Sequence, residues 1–341
     1  MNLKNILRNL RLSLGKLLID KKIQGDVNVF PPQRILFLRQ DGKIGDYIVS
    51  SFVFRELKKA NPNIHIGVIC TQKDAYLFEQ NPHIDQLYYV KKRDILDYIT
   101  CGLRLAKLQY DVVIDPTISL KNRDLLLLRL INARNYIGYK KSNYQLFNIN
   151  LEGEFHFSEL YRLALEKIGI QVQDMSYDVP YNSQSAIEIS QFLEINQLKN
   201  YIAVNFFGGY RHKVMNKQNI EKYISYLTSQ SDKPLVLLSY PEVIPMLKDA
   251  AKSYTNIFIH DTTTIFHTIE LIRHCALLIS TDTSTVHIAS GFNKPMIAIY
   301  KEDPIAFIHW KPISQAKTHI LYYKDNINEL SPEAIKPEWL L

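Results

Sequence analysis

Three short loops hold the residue types able to do chemistry on hydroxyls and anions. Arg39-Gln40-Asp41-Gly42-Lys43-Ile44-Gly45-Asp46 runs from an apolar stretch into a helical one. Gly45 lets the backbone approach a ligand, and Asp46 presents a carboxylate at the helix start, as a proton acceptor or as a plain helix cap. Ser280-Thr281-Asp282-Thr283-Ser284-Thr285-Val286-His287 gathers hydroxyls and backbone N–H groups at a helix N-terminus, a ready-made anion site. Here Asp282 reads as the cap, and His287 falls one turn beyond Thr283 on the same face; a lone histidine in such a place is more often a core residue. Asn205-Phe206-Phe207-Gly208-Gly209-Tyr210-Arg211-His212-Lys213 puts a glycine pair ahead of three residues able to carry positive charge. That suits a diphosphate whose charge builds on a leaving group, although a solvated loop has the same composition. None of the three matches G-x-G-x-x-G or G-x-x-x-x-G-K-[ST], which argues against standard dinucleotide and P-loop sites.

The elements that must position these loops alternate. Apolar runs at Arg34 to Arg39, Ile64 to Cys70, Gln86 to Val90, Asp111 to Ile114 and Asn135 to Gly138 read as buried strands. Helical patterns separate them over about 46 to 60, 73 to 80, 93 to 109 and 122 to 132. The stretch 140 to 182 breaks this rhythm, with one helix near Ser158 to Ile168. Strands are expected again at Tyr201 to Asn205, Leu235 to Ser239, Asn256 to Ile259, Ala276 to Ile279 and Met296 to Tyr300. Helices over 216 to 230, 242 to 254, 264 to 274 and 283 to 291 alternate with them. A repeated β-α unit of this kind is the pattern of a doubly wound parallel sheet. Two such sheets are expected, over 31–180 and 181–341, facing a cleft, with ligands beyond the carboxyl ends of the strands.

Residues 1–30 stand apart. On a helical wheel Leu3, Ile6, Leu7, Leu10, Leu14, Leu17 and Leu18 share one arc, edged by Lys4, Arg8 and Arg11. Such a helix either lies on an anionic membrane surface or packs against its own domain; interrupting charges and the lack of a small-residue cleavage site make it a poor signal peptide. The net charge of +7 is local. Residues 1 to 180 carry 26 basic and 19 acidic side chains, and the remainder 15 of each. Residues 121 to 141 alone hold six basic residues against one acid. This argues for a local anionic partner rather than a cationic nucleic-acid coat. Cys70, Cys101 and Cys275 have neither disulfide-framework nor zinc-ligand spacing, which fits a reducing cytosol.

Taken together, the three loops resemble the lipopolysaccharide heptosyltransferase family, inverting nucleotide-sugar glycosyltransferases of GT-B architecture, from about residue 34 to 310. The resemblance rests on Gly45-Asp46 opening a helix after the first strand, and on Asp282-Thr283-Ser284-Thr285-Val286-His287 followed by Lys294-Pro295. Weaker elements align at Lys213-Val214-Met215-Asn216 and at Glu242. The chain departs from the family pattern at Ser284 and Tyr300, where glycines are usual, and lacks a Trp-Pro after Lys213.

The resemblance implies a sugar donor such as ADP-heptose and an acidic lipopolysaccharide core as acceptor. Asp46 would be the catalytic base. Lys213, Glu242, Asp282, Thr283, Ser284 and His287 would bind the donor, and Lys43, Arg55, Lys58, Lys59, Lys121 and Arg123 the acceptor. No D-x-D occurs in the chain, so no metal or other cofactor is expected. The expected location is cytoplasmic, with the inner-membrane surface as a partner on its cytoplasmic face. The departures on the donor side leave a second reading, a catalytically degenerate GT-B protein that binds a glycolipid or nucleotide without transfer. A dehydrogenase is disfavoured by the missing fingerprint.

Overall fold

The computed structural model of the chain describes residues 3–23, 31–40 and 42–340, with side chains from Leu10 onward. Asp41 and the side chains of Leu3, Lys4, Ile6, Leu7 and Arg8 lie outside the described residues. The chain divides into two compact units, residues 1–176 and 177–341. The N-terminal helix, Leu3–Ile19, falls within the first unit.

The first unit holds β1 (Arg34–Leu38), β2 (His65–Cys70), β3 (Gln86–Tyr89), β4 (Val112–Asp115), β5 (Asn135–Tyr139) and β6 (Ile149–Leu151). They form one sheet in the order β3-β2-β1-β4-β5-β6, and every pairing is parallel. The second unit holds β7 (Ile202–Asn205), β8 (Leu235–Leu237), β9 (Ile257–Ile259), β10 (Leu277–Thr281), β11 (Met296–Lys301) and β12 (Thr318–Tyr323). Their order is β12-β11-β10-β7-β8-β9, again with every pairing parallel. Numbered within its own unit, each sheet runs 3-2-1-4-5-6, the Rossmann order. Central strands such as β1, β4, β7 and β10 are buried almost throughout, which explains their continuous apolar runs.

This topology selects the positions for a site. Strand order reverses between β1 and β4 in the first sheet and between β7 and β10 in the second, and the crevice outside the carboxyl ends at such a switch point is where ligands bind. The loop 39–46 follows β1, and 116–121 follows β4. The loop 206–216 follows β7, and Asp282 and Thr283 follow β10.

Three local features differ from expectation. The helix expected over 46 to 60 is two helices, Ile44–Ser50 and Phe52–Ala60. The Ser50 hydroxyl donates to the Asp46 and Tyr47 carbonyls at 2.8 and 3.0 Å, and the Ser51 hydroxyl to Ile48 at 2.7 Å, so both compete with the backbone where the helix breaks. The sixth strand of each sheet, β6 and β12, was not anticipated; one has three residues and the other is a half-buried edge. The helix Ser183–Ile195 was also missed, because its sequence buries only Ser185 and Ile189 and shows no apolar stripe.

Candidate active site

In the second unit the loop after β7 is an ordered hairpin. Phe207 bridges Val214 in antiparallel fashion, and the Met215 N–H donates to the Phe206 carbonyl at 3.0 Å. The turn Arg211–Lys213 folds back over Gly208 so closely that a Cβ there would meet Lys213 Cβ at 2.5 Å. This close approach is what the glycine provides. The result is that Lys213 Nζ donates to Asp282 Oδ2, in the loop after β10, with both side chains largely buried.

Beneath that ion pair a buried network ties the two strands together. Asn205 Nδ2 donates to the Phe207 carbonyl at 3.0 Å, to Ser280 Oγ at 3.1 Å and to Thr285 Oγ1 at 3.3 Å. The Ser280 and Thr285 hydroxyls lie 2.6 Å apart. Asn205 and Ser280 lie at strand ends and Thr285 in the following helix; all three fall in the loops quoted from the sequence, but their spacing does not reveal that they bond one another. Asp282 is not the helix cap that was expected. The N-cap position of Ser284–Gly291 is Thr283, which makes no side-chain cap bond, and Ser284 opens the helix. The Thr283 side chain therefore does not cap that N-terminus, and the Val286 N–H donates to the Thr283 carbonyl at 3.1 Å.

His287 lies on the buried face of this helix, 3% exposed, with its ring 5.7 Å from that of Trp310. Burial, aided by the charge of Lys213, pushes its pKa down to about 4. It is therefore neutral near pH 7 and is not a cation for a phosphate. Its Nδ1 finds no hydrogen-bond partner among the described residues. Glu242 is exposed, in the turn after β8, the strand beside β7. Tyr300 is absorbed by packing: its hydroxyl donates to the Trp310 carbonyl at 2.9 Å, and its ring meets Phe307 edge-on at 5.2 Å.

The comparisons with known proteins decide what this constellation belongs to. The family model of glycosyltransferase family 9 (heptosyltransferase) matches residues 100–339, which takes in the loops after β7 and β10 but not the loop of Asp46. The chain belongs to that family. Lipopolysaccharide heptosyltransferase 3 of Escherichia coli is 24% identical over 295 residues, 79% of this chain and 84% of that protein. The glycosyl transferase family 9 structure from Veillonella parvula superposes with a TM-score of 0.72 at 18% identity, covering 90% of this chain and 97% of that one. The E. coli heptosyltransferase WaaC, solved with ADP, gives 0.66 at 15% identity, covering 89% and 98%. The fold is accordingly the GT-B type of the heptosyltransferases, and the protein is a glycosyltransferase.

In this glycosyltransferase the first unit presents Asp46 in the first turn of Ile44–Ser50, whose N-cap position is Lys43 rather than Asp46. The reading of Asp46 as a cap therefore fails. Lys121 is the N-cap residue of Asn122–Ile131, after β4, and like Lys43 it is exposed. Lys43, Asp46 and Lys121 thus stand at the carboxyl ends of two adjacent strands. Arg123 is half-buried, its guanidinium 5.7 Å from the Tyr98 ring centre, and the Tyr98 hydroxyl donates to Gln40 Oε1 at 2.5 Å. That chain links the loops after β4 and β1.

The other expected acceptor cations are engaged elsewhere. Lys58 Nζ donates to both Asp85 oxygens at 2.9 and 2.8 Å and to the Ile64 carbonyl at 2.7 Å. Ile64 and Asp85 immediately precede β2 and β3, so Lys58 sits at the amino ends of the strands, away from Asp46. Arg55 holds Asp174 and Ser176 through their carbonyls at 2.9 and 3.1 Å, and Lys59 pairs with Glu56 at 2.8 Å. Burial raises the Glu56 pKa, but Lys59 and the N–H groups of Gln173 and Asp174 outweigh it and the net shift is downward. All three cations thus have partners within the first unit.

The basic stretch 121 to 141 is likewise partly neutralised. Arg134 lies 3.4 Å from Asp111, and Lys140 pairs with Glu154. Lys141 is buried 3.7 Å from Asp115, at the end of β4. Burial pushes the Asp115 pKa up and that of Lys141 down. Sequence reasoning missed this pair because a lysine in a basic run reads as surface.

Proposed function

We propose that this glycosyltransferase is an inverting heptosyltransferase that moves a heptose from ADP-heptose to the phosphorylated core of lipopolysaccharide. The observation that carries the reading is the Lys213–Asp282 pair at the switch point of the second sheet, beside the open N-terminus of Ser284–Gly291. Cation, helix dipole and hydroxyls converge where a nucleoside diphosphate would leave. The structure of a relative with ADP accords with that donor.

An acceptor hydroxyl attacks the anomeric carbon opposite the departing diphosphate. The new C–O bond forms as the bond to the β-phosphate oxygen breaks; the proton passes to Asp46, and the leaving electron pair is stabilised by Lys213 and the helix N–H groups. Asp282 orients Lys213 before the donor arrives, and Glu242 holds donor hydroxyls. Thr283 and Ser284 offer backbone N–H groups and hydroxyls. Lys43 and Lys121 receive the anionic groups of the acceptor. The reaction proceeds without a metal. We place it on the cytoplasmic side, where the three buried thiols would stay reduced.

The experiment is an assay of ADP release from ADP-heptose and a core acceptor, run with and without excess chelator. Equal rates support the reading. Loss of activity restored by a divalent cation rejects metal independence, and release only from UDP- or GDP-linked sugars rejects the donor.

A further inference from the structure

The helix Leu3–Ile19 serves none of the chemistry above. One face of it is fastened to the first unit. A Cβ on Gly15 would lie 2.0 Å from Asn122 Nδ2, and that same group donates to the Arg11 carbonyl at 2.7 Å. Lys16 Nζ sits 4.5 Å from the centre of the Tyr144 ring. Asp20 accepts the Gln145 and Leu146 N–H groups, each at 2.9 Å, and Ile19 and Ile23 pack on the core.

The leucines point the other way. Leu10, Leu14, Leu17 and Leu18 are 56%, 52%, 79% and 73% exposed. Their i, i+4, i+7, i+8 spacing is that of a core-facing stripe, here turned to solvent. Exposed Arg11, Lys21 and Lys22 frame it, and Lys22 borders a surface recess shared with Arg129 and Arg134. Asp20 is the one acid between Leu10 and Lys22, and it is buried on the two N–H groups.

We propose that residues 10–22 are a docking surface for an anionic phospholipid bilayer, with the leucines in the acyl boundary and Arg11, Lys21 and Lys22 at the phosphate head groups. Charge selects this occupant. A second copy of the chain across a two-fold axis would bring like cations together, whereas an anionic lipid surface neutralises them. The proposal is independent of the transferred sugar.

The test is co-sedimentation of the full chain with vesicles of phosphatidylcholine, alone or mixed with phosphatidylglycerol. Binding should require the anionic lipid and weaken with salt. Leu17→Glu/Leu18→Glu and, separately, Lys21→Glu/Lys22→Glu should each lower partitioning by on the order of tenfold or more. All four positions are exposed, so thermal melts should match the parent; if the leucine pair does not fold, Leu17→Ser serves in its place. Equal binding to neutral vesicles, or unchanged binding by both variants, overturns the proposal. A two-copy mass by light scattering that falls to one copy in Leu17→Glu/Leu18→Glu assigns the stripe to self-association and also overturns it.

Discussion

Lys213 Nζ is held by the Asp282 carboxylate across the switch point of the second sheet, joining the loops after β7 and β10. The pair keeps a cation ordered where the Ser284–Gly291 helix opens, before any ligand is present. Its partners are 69 residues apart in sequence, and the parallel β7–β10 pairing brings them together. Replacing Lys213 by Ala should lower kcat/KM by about 10²-fold, the scale of losing one stabilising group at a developing anion. Asp282→Asn should cost less, and a double-mutant cycle should show coupling of about 1 kcal/mol or more. Additive effects would show that the two residues act apart.

Asp46→Asn keeps the size and first-turn position of the side chain while removing its basicity. The turnover number should fall by about 10² to 10⁴, the usual contribution of a general base. ADP binding by calorimetry should be unchanged, since Asp46 belongs to the first unit and the donor groups to the second. Normal turnover would exclude Asp46 as the base.

The depressed pKa of His287 makes stability depend on pH. The unfolded histidine, near 6.5, binds its proton before the folded one, near 4. Between those values the unfolded state holds more protons, so stability from this group is intact above about pH 6.5 and is lost as pH falls toward 4. The loss is on the order of 3 kcal/mol. Urea titrations at pH 7 and 4.5 should show a larger drop for the parent than for His287→Gln. An equal drop would mean that the buried imidazole is already charged.

Lys58→Ala should leave the acceptor KM unchanged and reduce stability by about 1 kcal/mol, because its partners are Asp85 and the Ile64 carbonyl. Lys121→Ala should do the reverse, raising the acceptor KM with little change in melting temperature. A raised acceptor KM in Lys58→Ala would instead assign the acceptor role to the first unit's helix cations.

Central strands were legible because burial on both faces leaves continuous apolar runs, as at Arg34–Leu38 and Leu277–Thr281. Of the four edge strands, Gln86–Tyr89 and Ile257–Ile259 were legible, whereas Ile149–Leu151 and Thr318–Tyr323 were not, one being short and the other only half-buried. Within the site, Lys213 and Asp282 were each legible from their loops, but their pairing was not, because it is a product of strand order. At Arg55, Lys58 and Lys59 it was the partners that the sequence did not show. Their sequence places them on the helical segment following Asp46, yet a helix rises about 1.5 Å per residue, so Lys58 and Lys59 lie far along it. Ion pairing with Asp85, Glu56 and the 173–176 segment then absorbs all three. His287 was legible as a motif residue, but its charge state depended on burial.

The central claim is transfer of heptose from ADP-heptose. Its most direct measurement is mass spectrometry of a lipopolysaccharide core acceptor after incubation with the purified protein and ADP-heptose. We predict a product heavier by one heptose, with equimolar ADP and an anomeric configuration at the new linkage opposite to that of the donor. An acceptor of unchanged mass under conditions where ADP is bound, or a product of retained configuration, would contradict it.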